Sequence, residues 1–387
     1  IATIDIGSQT VRVLVAEHQL DDSIRILGIG EAVSEGIQRG NIVNIEKASQ
    51  SVVRALKDAE KMAQTKLTKV VVAVGGDSLM WKKSHGMVPV GRDKKPVSHR
   101  DVAELIKSAR AVVIPPDHTI VESFAESYSV DSQTGIEDPI GMVGVRMEAD
   151  VNLATIRKGN IENIQRILES QKLDIEYFTL GIQGASQAVL TEEEAELGVC
   201  VIDLGAGTTD FSIYQNRRIV YADTVRYAGG SITSDISICM KIPLKQAEEL
   251  KIEYGHTIPE QINDSQTVKL SGIGGRKPRT IQRKLVVEII EPRVEEIFSM
   301  VKEKIEKAGK YGILTGGVVL TGGTSILPGI VMSAEKILGL PVRIGIPGEE
   351  IPIDEIVKTP FHSSALGSVL VTISKESMPL SGDRRQG

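Results

Sequence analysis

Cysteine is nearly absent from this 387-residue chain: Cys200 and Cys239 are the only two. That excludes a disulfide framework and a multi-cysteine zinc site, and it suits a reducing compartment. Aromatic residues are scarce as well, with one Trp, seven Tyr and five Phe. So few rings weigh against a stacking platform for single-stranded nucleic acid. There is no excess of positive charge: 45 basic residues stand against 51 acidic ones, a net charge of −6. A general electrostatic pull toward nucleic acid is therefore lacking. No window of 18 consecutive apolar residues occurs, so nothing reads as a membrane-spanning helix, and no signal-peptide pattern opens the chain. The apolar share of 41% and charged share of 25% are ordinary for a globular protein, which sets aside disorder, coiled coil and collagen. At this length two or three domains are expected, with a core large enough to need no covalent staple.

What the chain has in excess is glycine, 37 residues, in clusters. One cluster belongs to an internal repeat. Ile4-Asp5-Ile6-Gly7-Ser8-Gln9-Thr10 recurs as Ile202-Asp203-Leu204-Gly205-Ala206-Gly207-Thr208, each after an apolar run and before period-two alternation. Each copy reads as strand, Gly-containing turn, strand, with an Asp near the tip. Two such hairpins, one per half, would face each other across a cleft. Helices interleave with the strands. Asn44 suits an N-cap for a helix carrying Ile45, Ala48, Val52, Leu56, Ala59 and Ala63 on one face. Pro243 and Gly255 bracket a second helix. A third is expected from about Ile281, kinked or restarted at Pro292. Residues 70–74 and 318–320 read as strands buried on both faces. The whole is an α/β chain. Residues 80–155 break the rhythm and read as an inserted subdomain, and residues 227–308 as a second insertion. A short piece is expected before residue 1, and residues 374–387 read as a disordered tail.

Both Asp-x-Gly turns suit a phosphate clamp, because glycine lets backbone N–H groups approach phosphate oxygens and Ser or Thr hydroxyls add donors. This nominates Gly7, Ser8, Gln9 and Thr10, and Gly205, Ala206, Gly207, Thr208 and Thr209. Asp5 and Asp203 would form a carboxylate pair for phosphate-bound Mg²⁺, held through water. Gly322-Gly323-Thr324-Ser325, after a buried strand, would let a base or ribose lie against the backbone. Gly229-Gly230-Ser231 opens a helix whose free N–H groups suit phosphate or ribose. Glu248 and Lys251, three apart on the next helix, are candidates for an adenosine contact or a solvated ion pair.

Together the two hairpins, the Thr-Gly-Gly loop and the hinge segments Gly184-Ala185-Ser186 and Ser363-Ser364-Ala365-Leu366-Gly367 resemble the actin–hexokinase–chaperone ATPase superfamily. Within it the chain resembles the FtsA family. That likeness rests on Glu196-Leu197-Gly198-Val199-Cys200-Val201-Ile202-Asp203, on residues 139–147 and 273–279, and on Ile290-Glu291-Pro292-Arg293. It implies an actin-like ATPase fold of two similar α/β domains around a nucleotide cleft, each with an inserted subdomain. Residues 1–79 with 156–192 would form the first core subdomain and 80–155 the family's own insertion. Residues 193–226 with 309–373 would form the second core, 227–308 the upper subdomain and 374–387 the tail. It implies ATP and Mg²⁺ as ligands, and self-assembly into filaments. It implies attachment of FtsZ to the cytoplasmic face of the inner membrane at midcell, through a C-terminal helix that this chain does not contain. Other division proteins would be met through residues 80–155.

Two departures from the family pattern imply at most slow ATP hydrolysis. Thr10 stands where members often carry Lys, and the first hinge lacks an acidic residue, leaving Gln183 or Gln187 to orient water. The rivals are a pilus-assembly actin homologue, a sugar kinase, a chaperone ATPase, and a nucleic-acid binder using Arg276, Lys277, Arg279, Arg283 and Lys284. No sugar motif is present, too little chain follows Gly367 for a peptide-binding domain, and the net charge disfavours nucleic acid. For the FtsZ tail, the spacing of Arg283, Val287 and Ile290 predicts a surface stripe flanked by Lys284 and Arg293, with Ile281, Leu285 and Ile289 facing the core.

Overall fold

The computed structural model describes residues 1–90, 96–271, 278–348 and 352–377. The first half opens with β1 (Ala2–Ile6), β2 (Thr10–His18) and β3 (Ile24–Val33), then the ribbon β4 (Ile37–Gln38) and β5 (Asn41–Ile42), α1 (Ile45–Ala63) and β6 (Lys69–Val74). An inserted unit follows: β7 (Met80–Pro89), α2 (His99–Arg110), β8 (His118–Val130), β9 (Gln133–Ile136) and β10 (Arg146–Arg157). The half closes with α3 (Lys158–Ser170), β11 (Asp174–Leu180) and α4 (Gly181–Val189), and α5 (Glu192–Leu197) leads onward. The second half holds β12 (Val199–Leu204), β13 (Thr209–Gln215) and β14 (Arg218–Val225). Its own insertion comprises α6 (Gly229–Met240), α7 (Leu244–Tyr254), β15 (Thr267–Leu270), β16 (Arg279–Gln282) and α8 (Arg283–Lys307). Then come β17 (Val318–Thr321), α9 (Ile330–Leu338), β18 (Val342–Ile344) and α10 (Ser363–Ser377).

The two halves share one topology. The first sheet runs β11-β6-β1-β2-β3 and the second β18-β17-β12-β13-β14, with antiparallel hairpins on one side and parallel strands on the other. Local sequence explains the pieces. Asn44 caps α1 by accepting the Lys47 N–H at 3.0 Å, and Ala48, Val52, Leu56 and Ala59 are buried beneath it. Asn216 and Arg217, both at positive φ, make the tight turn between β13 and β14. Along β12, side chains alternate between two cores: Val199 and Val201 pack with the first half, Cys200, Ile202 and Leu204 with the second insertion. That is the period-two signature of a sheet covered on both faces.

The first core also holds α4 and α10, which cross between the sheets. They meet backbone to backbone: a Cβ on Gly367 would lie 1.6 Å from the Gly184 carbonyl oxygen. The inserted unit has a core of its own, with Leu105, Met147, Val151 and Leu153 at its centre.

Three expectations need correction. Ile281 lies in β16, and α8 starts at Arg283 and runs through Pro292 to Lys307 without restarting. Buried residues on both sides of the proline, among them Val286, Ile290, Val294 and Phe298, hold the helix together by packing. Residues 374–377 belong to α10, while 378–387 lie outside the described residues. So do residues 272–277, with Arg276 and Lys277.

The helix crossing is testable. Gly367→Ala should lower stability by about 2–4 kcal/mol, because the added methyl meets backbone. Gly159→Ala, in open space on α3, should be neutral or stabilising by about 0.5 kcal/mol. Urea unfolding midpoints compare the two, and equal midpoints would refute the close crossing.

Candidate functional site

The duplicated hairpins bring four charged residues into register. In β1–β2, Asp5 lies opposite Arg12; in β12–β13, Asp203 lies opposite Asp210. The tips between these pairs touch each other. A Cβ on Gly207 would stand 2.2 Å from Ser8 Oγ, so glycine is required there by close approach. Ser8 Oγ in turn accepts the Gly40 N–H at 3.1 Å.

Behind the tips lies a cleft of about 310 Å³, within the size range of small-molecule sites. It is lined by Asp5, residues 7–10, Arg12, Gly75, Gly76, Asp203, residues 205–208 and Asp210. Ile252, Gly322, Gly323, Ile326, Leu327, Pro328 and Phe361 add apolar and glycine surface beside Glu248 and Lys251, and a Cβ on Gly322 would stand 2.2 Å from Asp203 Oδ1. Gln9 Nε2 reaches Glu248 Oε1 at 3.4 Å and so bridges the first tip and α7.

The carboxylates define the electrostatics. Burial pushes Asp203 up to about 8, with Asp210 and Asp5 adding repulsion against a lesser pull from Arg12. Burial also raises Asp210 to about 6, against hydrogen bonds donated by Thr224 and Thr208. Asp5 is raised by burial, opposed by Arg12. Three partly buried acids thus share the cleft with incomplete neutralisation. On α7, burial works to raise Glu248, but the Lys251 ammonium at 2.7 Å reverses this and holds it low. Burial lowers Lys251, opposed by Glu248.

Several expected site residues stand elsewhere. Thr209 is fully buried and donates to the Tyr227 carbonyl at 2.7 Å. The Gly229 and Gly230 amides donate to the Gly205 and Ala206 carbonyls at 3.0 and 2.8 Å, so the α6 N-terminus clamps the second tip and does not line the cleft. Ser231, partly exposed, offers Oγ to the Ala228 N–H at 3.4 Å. Ser325 is buried and donates to the Gly322 carbonyl at 2.7 Å. Gln183 does not line the cleft; its Oε1 accepts from Thr179 at 3.2 Å. Thr324 lines the cleft and donates to Gly205 at 2.9 Å.

The predicted partner stripe is also corrected. Val287 and Ile290 are completely buried, whereas Leu285 is 43% exposed. Ile281 and Ile289 do pack against the second core, as expected, beside Val286 and Ile290, so the face that meets the core is broader than one stripe. Arg283 donates to Tyr254 O and Gln266 Oε1, Lys284 pairs with Asp264, and Arg293 pairs with Asp235 and Glu296. These cations are engaged within the subdomain.

Arg12, Gly75, Gly76 and Phe361 were not foreseen. For Arg12 the signal was available: it sits seven residues after a repeat Asp, at the partner position of the hairpin register, as Asp210 does in the second copy.

Residues 200–367 match the family described as "Cell division protein FtsA", and residues 76–155 match the "SHS2 domain inserted in FTSA". The cell division protein FtsA of Neisseria meningitidis is 38% identical, covering 95% of this chain and 88% of its own length. That of Pseudomonas aeruginosa is 34% identical (97% and 90%), and that of Escherichia coli K12 33% (97% and 90%). Among solved structures, the PilM-PilN type IV pilus biogenesis complex superposes with a TM-score of 0.68 at 16% identity, covering 96% and 97%. MreB5 of Spiroplasma citri bound to ADP gives 0.59 at 16%, covering 97% of both chains. These two likenesses are of fold.

The buried acids make a prediction about pH. The folded, ligand-free protein keeps protons that the unfolded chain sheds near the ordinary carboxylate value of 3.8. The stability this contributes is fully present below about pH 4 and is lost as pH rises through the folded value of about 8. Melting temperature should therefore fall between pH 5 and 8 in EDTA. Asp203→Asn should flatten that decline and raise the melting temperature at pH 8 by about 2–6 °C. A parent and variant with parallel pH profiles would contradict the shared-acid cleft.

Proposed function

This chain belongs to the FtsA family of actin-like cell division proteins, and we propose that it binds ATP with Mg²⁺ in the cleft, assembles into filaments and couples FtsZ to the membrane. The observation that carries the nucleotide reading is the pair of registered hairpins. Their glycine-bearing tips line a cleft that also has apolar walls from Ile252, Ile326, Leu327, Pro328 and Phe361. Tip backbones with Ser8, Thr10 and Thr208 suit phosphate oxygens. The apolar walls, with Gly322 and Gly323 carrying no side chain between them, suit a base and ribose.

The residues fit a magnesium ion. Mg²⁺ prefers one or two carboxylates, phosphate oxygens and several waters to an all-protein cage. Asp5 and Asp203 line the cleft as partly buried acids, raised first by desolvation and, for Asp203, by the neighbouring carboxylates, which is a donor set such an ion favours. Among the described residues no group of three or more His, Cys, Asp or Glu has the geometry to hold a metal unaided, so phosphate and water would complete the shell. The bound ion would neutralise phosphate charge, and the chain's part is to position the nucleotide against two aspartates. Hydrolysis is expected to be slow, since Gln183 is held by Thr179 away from the cleft.

Assembly finds support in the inserted unit, where Val143 and Val145 are 73% and 72% exposed and Met87 is 48% exposed. Exposed branched apolars in one loop suit a contact with a second copy in an open head-to-tail array. Among the described residues no helix is long and apolar enough to cross a membrane.

Two measurements test the reading. Asp203→Asn should remove most of the Mg²⁺-dependent gain in ATP affinity, about 1.5–3 kcal/mol by calorimetry; an unchanged gain sinks the magnesium assignment. The Val143→Glu, Val145→Glu double variant should stop ATP-dependent sedimentation while ATP affinity stays at the parental value. Normal pelleting would remove the inserted unit from the assembly contact.

A further inference from the structure

The inserted unit belongs to the first half by chain, since β7 follows β6 and β10 runs on into α3. Its side chains also meet β14, the edge strand of the second sheet, and the two form a seam between the halves. The seam begins at the cleft. Gly75 and Gly76 of the first half line the cleft, and Thr224 on β14 donates to Asp210 Oδ1, in the cleft wall, at 2.5 Å. Next, Asp77 Oδ2 stands 3.6 Å from Arg226 Nε. The Trp81 ring then meets Tyr221 edge-on, with centroids 6.4 Å apart, and stacks on Phe124 at 5.4 Å. At the far end, Arg218 donates to Ala125 O at 3.2 Å and to Glu137 O, and its guanidinium lies 5.8 Å from the Tyr128 ring centroid. From Thr224 to Arg218 an extended strand covers about 20 Å.

The far part of the seam is separate from the site. Trp81, Tyr221 and Arg218 do not line the cleft. It is also an imperfect contact. Among the described residues, Trp81 Nε1 and Ser123 Oγ are buried with no hydrogen-bond partner. A buried donor without an acceptor forfeits its water and gains nothing in return, which weakens the docked state. Against this stand the ring contacts and the charge-assisted hydrogen bonds of Arg218. Two sets of contacts thus join the same two halves: the hairpin tips at the cleft and the seam along β14. Where two contacts join the same two bodies, making one holds the partners of the other close and lowers its ordering cost. Both sets are made together here, since Ser8 stands against Gly207 while Arg218 and Trp81 are engaged. A closed seam and a formed cleft are therefore compatible.

Resting on the nucleotide reading above, we infer that the seam between β14 and the inserted unit is a latch linked to the cleft: nucleotide held between the halves tightens it, and the closed latch raises nucleotide affinity. The second statement follows from the first, because linkage between two equilibria is reciprocal. Arg218 and Tyr221 act at a distance and touch no ligand. The competing role is a fixed buttress, which holds the inserted unit in one place whatever the cleft contains.

Trp81 is the only tryptophan of the chain, so its fluorescence reads the latch. Because it does not line the cleft, ADP cannot shield it by contact. Acrylamide quenching of the parent should fall on saturation with Mg²⁺ and ADP. Arg218→Ala should raise quenching in the ligand-free protein and weaken ADP binding about 5- to 10-fold by calorimetry, the low end of ordinary coupling. Arg218→Lys keeps the charge but loses the fork, and should fall between parent and Arg218→Ala in both readouts. It decides the matter if Arg218→Ala lacks a cooperative melt. Arg217→Asn serves as the control. It removes the ion pairs with Glu192 and Glu196 of α5, not a contact with the inserted unit, and Asn tolerates the positive φ of that turn. Both readouts should stay parental there. ADP bound with Trp81 quenching unmoved, or parental ADP affinity in the Arg218 variants, marks a fixed buttress and overturns the latch. A rise in quenching with ADP overturns its sign, and an equal loss in Arg217→Asn traces the effect to the turn. A parent that binds no ADP by calorimetry overturns the nucleotide reading itself, a result distinct from the others.

Discussion

The crossing of α4 and α10 is the contact on which the rest depends. Gly184 and Gly367 let two helix backbones touch, and small polar residues around them tie the helices to both sheets. Thr3 donates to Ala365 O at 3.0 Å, the Ser186 and Ser212 hydroxyls pair at 2.8 Å, and those of Thr321 and Ser363 at 2.6 Å. Larger side chains would hold the helices about 8–10 Å apart, the usual spacing. At close approach the two sheets share one core, and their hairpins are presented to each other at the distance where Ser8 meets Gly207.

That geometry creates the electrostatic problem of the cleft. Asp5, Asp203 and Asp210 are brought together out of water, with Arg12 the nearest cation acting on both Asp5 and Asp203. A site built this way is incomplete without positive charge, and so favours a ligand that arrives with a cation. The inserted unit is held to this arrangement from outside. Arg218, aimed by the tight β13–β14 turn, donates to Ala125 O at 3.2 Å and to Glu137 O, and Trp81 stacks on Phe124 while meeting Tyr221 edge-on. The insertion is thus fastened to β14 of the second half.

The site was only partly legible before the fold was known. The two Asp-x-Gly turns and the Gly322-Gly323-Thr324 loop line the cleft as their composition suggested, because glycine at a strand end constrains backbone approach whatever surrounds it. The Gly229-Gly230 segment misled for an instructive reason. Free helix N–H groups suit phosphate, but here neighbouring carbonyls of the second tip take them first. Val287 and Ile290 misled because the apolar residues of α8 cover more than one stripe. Spacing places residues on faces of a helix but does not say which face, or how many, the neighbouring elements cover.

From residue order alone, the duplicated strand–turn–strand units, the α/β class and the Asn44 cap followed, since each depends on neighbours a few positions apart. Tertiary structure alone decided which charges share the cleft. Arg12 meets Glu31, Lys251 is consumed by Glu248, and Gln183 is held by Thr179, because those outcomes depend on burial and on contacts between distant segments. Periodicity carries the direction of a side chain within its own element, but not the identity of what waits across the gap.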